Sequence, residues 1–472
     1  MLVGRIKERA VIEKALSSKK AELIAIYGRR RVGKTHLVRE VLGNKINFEL
    51  VGLHGGNQKE QIQNFTMLLN KKMKLPFPME APKNWLDAFA RLETYIESLK
   101  TKKKIIFIDE FPWIASRKTK FLMAFENFWN SFATKRKDIV IIISGSAAAW
   151  MIKNIIYNKG GLHNRITHSI RLLPFTLSET EAFLKKKGVE LSRYDIIQIY
   201  MVLGGVPFYL DLVEKDKSVA QIINHLILNK DAKLKSEFEK LFASLFENEA
   251  RHMSIIKALA STKRGLTRNE ISTKTKTNTG GTLTRNLKEL LESGFISYSN
   301  NYNGRKSTGL YRLIDEYSLF YLKFIDNHKR KQQNWSLMTN THSWKSWSGF
   351  SFEMICLKHV DQIKKAMGVA IISSEEYNWK SKRIEKGAQI DLIIDRADNV
   401  ITLFEIKFSE GPFTISKSYA ENLRNKKLAF RTETKSRKSI FIFFLSTFGL
   451  EKNKYARELI QQDFSMNILF QK

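Results

Sequence analysis

Gly28-Arg29-Arg30-Arg31-Val32-Gly33-Lys34-Thr35 is the stretch on which the fold of this chain turns. It fits the spacing G-x-x-x-x-G-K-[ST], in which glycines let a loop turn so that backbone N–H groups converge on phosphate oxygens at a helix start. Both flanks suit that reading. Residues 23–27 form an apolar run of strand length, and residues 34–42 carry helical spacing. Lys34 is placed to reach the β- and γ-phosphates, and Thr35 to set its hydroxyl on Mg²⁺. All eight residues are therefore expected to hold ATP or a close relative.

Working outward, residues 105–108 and 139–143 are two more continuous apolar runs. Strands buried on both faces and separated by helices indicate a parallel α/β sheet, reaching to about residue 172. The first of these runs ends in Asp109-Glu110. An acid at the tip of a buried strand can hold Mg²⁺ through water, which is the role expected of Asp109. Glu110 beside it can orient or activate the attacking water. The second run ends in Ser144-Gly145-Ser146, where Ser144 is the preferred sensor of the γ-phosphate. Arg165 is a candidate arginine finger, with a solvated surface arginine as the equal alternative.

A chain of 472 residues exceeds one ordinary core, so two to four units are expected. Eighty Lys and Arg against 47 Asp and Glu leave a formal charge of +33, a field that draws polyanions and suggests DNA or another nucleic acid as partner. A Lys-rich solvated surface is the plainer alternative. The single cysteine, Cys356, excludes an internal disulfide framework and a multi-cysteine zinc site, and reads as a small core residue. Charges in residues 1–9 argue against a secretory signal, and apolar runs of strand length cannot span a bilayer. The expectation is a cytoplasmic protein with no membrane partner.

Residues 174–246 read as nearly all helical, broken at Gly204-Gly205-Val206-Pro207, and suggest a helical lid. Helical patterns at 252–260, 267–273 and 282–291, then strands at 295–299 and 310–313, make a winged helix, with Thr267-Arg-Asn-Glu270 as a capping box. Arg264, Arg268, Lys274, Lys276, Arg285, Lys288, Arg305 and Lys306 decorate it and could neutralise phosphates. Intramolecular docking is the alternative use. Residues 328–334 read as a linker. Beyond it come a helix over 350–363, a hairpin of strands 389–394 and 400–408, a helix over 417–430 and a strand over 439–445. Asp391 on one hairpin strand faces Glu405 and Lys407 on the other, while Ile406 points into the core. Such carboxylates are hard ligands for Mg²⁺; the lysine can orient water or offset phosphodiester charge, and Glu353 can add a third acid. A structural ion-pair cluster is the alternative.

Tyr27-Gly-Arg-Arg-Arg-Val-Gly-Lys-Thr35, Leu2-Val-Gly-Arg-Ile-Lys-Glu8, Ile108-Asp-Glu-Phe-Pro-Trp113, Leu172-Leu-Pro-Phe-Thr-Leu177 and Gly204-Gly-Val-Pro-Phe-Tyr-Leu210 together resemble the archaeal-type ATPase family of the AAA+ class. The resemblance implies an ATPase of the initiator and STAND-like branch, a lid that moves with nucleotide state, and a role for Arg165 within or across subunits of a homo-oligomer. Asp391, Glu405-Ile-Lys407 and Glu353 resemble the PD-(D/E)XK nuclease superfamily, except that Ile390 stands where that motif has proline. The expected architecture is α/β throughout: a P-loop core over 1–172, a lid over 173–246, a winged helix over 247–327 and a restriction-endonuclease-like domain over 335–472. Two readings of function follow: an ATPase that engages DNA and carries a Mg²⁺-dependent nuclease, or an ATP-driven switch or scaffold whose last domain binds DNA or a protein without cutting.

Overall fold

The computed structural model describes all residues except 1, 75–76, 117–118, 158–159, 163, 244, 247–248, 279, 303–308, 327–333, 382–386 and 472. Arg305 and Lys306, and the linker expected at 328–334 apart from Asn334, lie outside the described residues. The chain divides into two compact units, Met1–Leu173 and Pro174–Lys472.

The first unit is built on strands β1 (Glu22–Tyr27), β2 (Ile46–Val51), β3 (Lys104–Asp109), β4 (Ile139–Gly145) and β5 (His168–Arg171). They form one sheet in the order β2-β3-β4-β1-β5, with every pairing parallel. Period-two alternation explains the unbroken apolar runs. Leu23, Ala25, Ile106, Ile108, Ile141 and Ile143 face a layer of aromatic residues that includes Trp85, Phe89, Phe121 and Phe128. Their neighbours Ile24, Ile26, Ile105, Phe107, Val140 and Ile142 pack with Ile12, Val32, Leu37 and Val38 on the other face. Strands β2 and β5 have no such signature because they are the sheet edges: half of β2 is only partly covered, and Ile170 alone is buried in β5. Parallel pairing brings the carboxyl ends of β1, β3 and β4 to one edge, with Tyr27 in register with Gly145 and Ile108 with Ile143.

The second unit opens with helices Leu177–Lys186, Arg193–Leu203 and Pro207–Asp211. The break at Gly204-Gly205 has a steric cause: a Cβ on Gly205 would lie 1.9 Å from the Phe175 carbonyl oxygen, and that glycine's own carbonyl accepts the Phe175 N–H at 2.6 Å. Helices Glu249–Ala260, Arg268–Thr275 and Gly281–Glu292 follow, and Thr267 and Glu270 form the expected capping box. Strands β6 (Ile296–Ser299) and β7 (Leu310–Leu313) pair antiparallel. The rest of the unit holds β8 (Ser374–Lys380), β9 (Gln389–Arg396), β10 (Val400–Lys407), β11 (Ser439–Ser446) and β12 (Gln462–Ser465) in the order β12-β11-β10-β9-β8. Pairing is antiparallel from β8 to β10 and parallel from β10 to β12. One apolar cluster runs from Phe175 through Leu287 and Trp347 to Phe470, so lid-like helices, three-helix segment and last sheet share a core. Cys356 is buried in that core.

The helix expected over 350–363 starts earlier and breaks once, into His342–Lys358 and Val360–Ala366. His359 sits at the break, fully buried. Its Nδ1–H donates to the Ile355 carbonyl at 2.8 Å, and Nε2 accepts the Leu177 N–H at 3.0 Å, so the neutral ring is fixed in one tautomer. Burial pushes its pKa down to about 4. No helix among the described residues is long and apolar enough to cross a membrane.

Candidate nucleotide and carboxylate sites

The loop after β1 bends where only glycine fits. A Cβ on Gly28 would stand 2.2 Å from the Leu172 carbonyl oxygen, a backbone atom that cannot yield, and the Leu172 N–H is tied to the Tyr27 carbonyl at 2.7 Å. Gly33 has φ +92° and caps helix Lys34–Leu42, so the first helical N–H groups are left open at the loop. Within the loop Arg29 and Val32 are buried and Arg30 is exposed, so part of the loop is packed into the chain's own core. Buried Arg5, from the opening segment, donates from Nη2 to the Val32 carbonyl at 3.2 Å and braces the loop from behind.

Lys34 is buried, and its Nζ donates to the carbonyls of Gly28 at 3.0 Å and Arg29 at 3.1 Å and to Ser146 Oγ at 3.4 Å. Burial pulls its pKa down; Glu110 and Asp109 push it back up. Asp109, at the tip of β3, accepts the Thr35 hydroxyl at 2.6 Å on one oxygen. Its other oxygen accepts the Glu110 N–H at 3.0 Å and the Ser144 hydroxyl. Glu110 has φ +49°, and its carboxylate accepts the Ser146 N–H at 3.2 Å and the Ser146 hydroxyl. The structure thus joins Thr35, Asp109, Ser144, Ser146, Glu110 and Lys34 in one hydrogen-bonded chain. Thr35 and Asp109 converge as two hard oxygen donors, the type of pair that Mg²⁺ takes.

Ser144 is fully buried and spends its hydroxyl on Asp109, whereas Ser146 lies between Lys34 and Glu110. Ser146 is the polar residue that the sequence reading passed over in favour of Ser144, although both stand in the same tripeptide. Arg165 is exposed, with its backbone N–H on the Leu162 carbonyl at 3.0 Å. Its side chain joins none of the groups above.

The last sheet brings the other predicted residues together. Phe404 of β10 pairs with Leu392 of β9, so Asp391 and Glu405 are neighbours one step past that pair. Glu405 is buried and lies 2.7 Å from Lys426 Nζ and 3.1 Å from Lys407 Nζ, and it also accepts the Tyr419 hydroxyl. Burial would raise its pKa, yet the two lysines hold it below the ordinary carboxylate value. Asp391 accepts from Gln389 Nε2 at 2.7 Å and lies 3.7 Å from the guanidinium of Arg312, a buried residue of β7. Glu353, on helix His342–Lys358, feels burial first and then Asp391 and Glu405; against Lys407 and Lys263 these push its pKa up to about 8. Among the described residues no three His, Cys, Asp or Glu side chains are grouped to hold a metal. Cations stand on these acids instead. Lys426, Tyr419 and Arg312 were not foreseen, because each lies on an element outside the D…ExK pattern and meets the acids only through tertiary packing.

The third helix of the three-helix segment buries Leu283, Leu287 and Leu290 and exposes Thr284, Arg285 and Lys288. Arg264 pairs with Glu270, and Arg268 bonds Thr284 Oγ1 at 2.7 Å, so these two cations are partly engaged within the segment.

Residues 2–213 match the family described as an ATPase domain predominantly from Archaea. The uncharacterized protein MJECL04 of Methanocaldococcus jannaschii is 25% identical over 442 residues, which cover 91% of this chain and 92% of that one. The uncharacterized ATP-binding protein MJ1659 of the same organism is 26% identical over 287 residues, 51% of this chain and 78% of its own. Among solved structures, the Walker-type ATPase PABY2304 of Pyrococcus abyssi superposes with a TM-score of 0.51 at 18% identity, over 68% of this chain and 96% of that chain, a likeness of fold. Residues 2–213 thus match an archaeal-type ATPase domain, and together with the geometry around Lys34 that match supports ATP binding and hydrolysis.

Proposed function

We propose that the chain is a Mg²⁺-dependent ATPase that engages duplex DNA through a winged helix over 247–327 and carries a PD-(D/E)XK nuclease-like domain over 335–472. In this reading 1–172 is the catalytic core and 173–246 the lid. Mg²⁺, when bound, would neutralise charge on the phosphates. The protein's own groups do the rest. Backbone N–H groups of residues 29–35 hold phosphate oxygens, and Lys34 exchanges the Gly28 and Arg29 carbonyls for phosphate. Thr35 and Asp109 would hold the metal through their oxygens. Glu110, once freed from Ser146, takes the proton of the attacking water, and Ser146 then reports on the γ-phosphate beside Lys34. Arg165, exposed and outside this network, is suited to act on a neighbouring subunit's phosphates in a homo-oligomer.

The observation that carries DNA engagement is the exposed pair Arg285 and Lys288 on the helix that buries Leu283, Leu287 and Leu290. In a winged helix that helix enters the major groove. The formal charge of +33 supplies long-range attraction. The test is fluorescence anisotropy with a duplex across a salt series. Wild type should bind with affinity that falls steeply with salt, and a double Arg285→Ala, Lys288→Ala variant should lower the log–log slope by about 2. Absence of binding at low salt, or an unchanged slope in the double variant, rejects the reading.

A further inference from the structure

We infer that the β6–β7 hairpin is a latch, and that Arg312 on it occupies the carboxylate site of the last sheet in place of a divalent cation. This rests on the proposed nuclease-like reading and adds its regulation. Three observations meet here. Arg312 is 4% exposed, lies 3.7 Å from Asp391, and is itself held by the Arg264 carbonyl through Nε at 3.4 Å. Its aliphatic stem fills the space beside Gly265, where a Cβ would come within 2.7 Å of Arg312 Cγ. A guanidinium so packed is built into place, not draped over a surface.

The hairpin is also fastened to the sheet it blocks. The Tyr302 N–H donates to the Asn378 carbonyl of β8 at 2.8 Å, and Asn378 Nδ2 donates to Ser299 Oγ at 2.7 Å. The Tyr302 ring packs edge-on against Tyr377 and beside Phe430. A second cation comes from the same three-helix segment. Lys263 donates to the Ser346 carbonyl at 2.8 Å and acts electrostatically on Glu353. Meanwhile Lys426 and Lys407 cover Glu405.

The acids therefore fit a metal by type but not by arrangement. Asp391 carries a counter-ion that arrives with the hairpin, and it leaves when the hairpin leaves. A cation that competes with the metal for the same carboxylates lowers metal affinity by the free energy of the pair it must break. Anything that draws β6–β7 off β8 raises that affinity. Linkage makes the effect reciprocal: metal held by Asp391 must loosen the hairpin.

Calorimetric titration of the full chain with Mn²⁺ tests this, taking as the site's signal the component that Asp391→Asn removes. Arg312→Met keeps the stem's bulk without the charge. It should bind Mn²⁺ at least about tenfold tighter than wild type, and Arg312→Gln should behave alike. A folded Arg312→Met with wild-type affinity, or with no Mn²⁺ component, overturns the latch. Hydrogen exchange on the wild type gives a readout that needs no hairpin variant. Saturating Mn²⁺ should speed exchange in Ile296–Ser299 and Leu310–Leu313, and unchanged or slower exchange there overturns the latch as well. Nuclease chemistry is judged apart from this. Tighter Mn²⁺ binding without cleavage of DNA by Arg312→Met leaves the latch and removes the nuclease; cleavage by wild type with unaltered affinity in Arg312→Met does the reverse.

Discussion

Replacing Glu353 by glutamine should change how the second unit responds to pH, in a direction and size that follow from its surroundings. Folded Glu353 gives up its proton near pH 8, against an ordinary value of 4.5. Between those values the folded chain keeps a proton that the unfolded chain has released, so stability falls as pH rises. The contribution is complete below pH 4.5, declines through the window and is gone once pH has passed 8. At about 1.4 kcal/mol per pH unit the ceiling is about 4–5 kcal/mol. Partial exposure of the side chain, with relaxation of Lys407 and Lys263 around the ionised acid, should halve that to about 2–3 kcal/mol.

Glu353→Gln has nearly the same shape and cannot ionise. Its stability relative to wild type should therefore grow by about 1.5–2 kcal/mol between pH 5.5 and pH 9, the part of the window above pH 5.5, read from urea midpoints at a common m-value. Glu405 is shifted the other way, so its titration lies below 4.5 and outside the window, while other groups cancel in the comparison. If the two proteins keep a constant difference across that range, Glu353 is not held neutral by burial and by Asp391, and the description of the site is wrong.

Two further changes probe the nucleotide site. Gly28→Ala pushes a methyl into the Leu172 carbonyl and asks a Cβ-bearing residue to hold φ +155°; denaturant unfolding of the first unit should show a loss of about 2–3 kcal/mol, combining backbone strain with the disturbed Leu172–Tyr27 bond. Glu110→Gln keeps a side chain that can still meet Ser146 but cannot take a proton. Steady-state hydrolysis should drop at least about 100-fold while ATP affinity, measured with a labelled analogue, stays within about threefold of wild type.

What could be read from the amino-acid order alone depended on how far apart the cooperating residues lie. The phosphate loop is made by eight consecutive residues between a strand and a helix, so its backbone geometry is fixed by local glycine placement, and the structure brings Lys34, Thr35 and Asp109 to one place. The strands β1, β3 and β4 announced themselves because both faces are buried. Edge strands β2 and β5 did not, since Asn47, Glu49, His168 and Arg171 dilute the apolar signal wherever one side meets water. The long helix at 342–358 was seen only in its second half: its first turns bury Trp344 and Trp347 among polar neighbours, and no continuous stripe marks them.

The carboxylate site shows the other limit. Period-two alternation correctly put Asp391 beside Glu405 and sent Ile406 to the core, because that is strand geometry. It could not say which cations would stand on the acids. Lys426 comes from the next helix and Arg312 from a hairpin of another segment, and each meets its acid through tertiary packing alone. Yet those cations decide the chemistry. The same Asp, Glu and Lys make a metal centre if the carboxylates are bare and an ion-pair cluster if a guanidinium and two lysines sit on them. A motif therefore fixes which ligands are on offer, and the fold around it fixes whether they are free. In this chain a buried arginine stands on Asp391 and two lysines on Glu405, so under the latch proposed above the β6–β7 hairpin, together with the D…ExK spacing, would set what the last sheet can do.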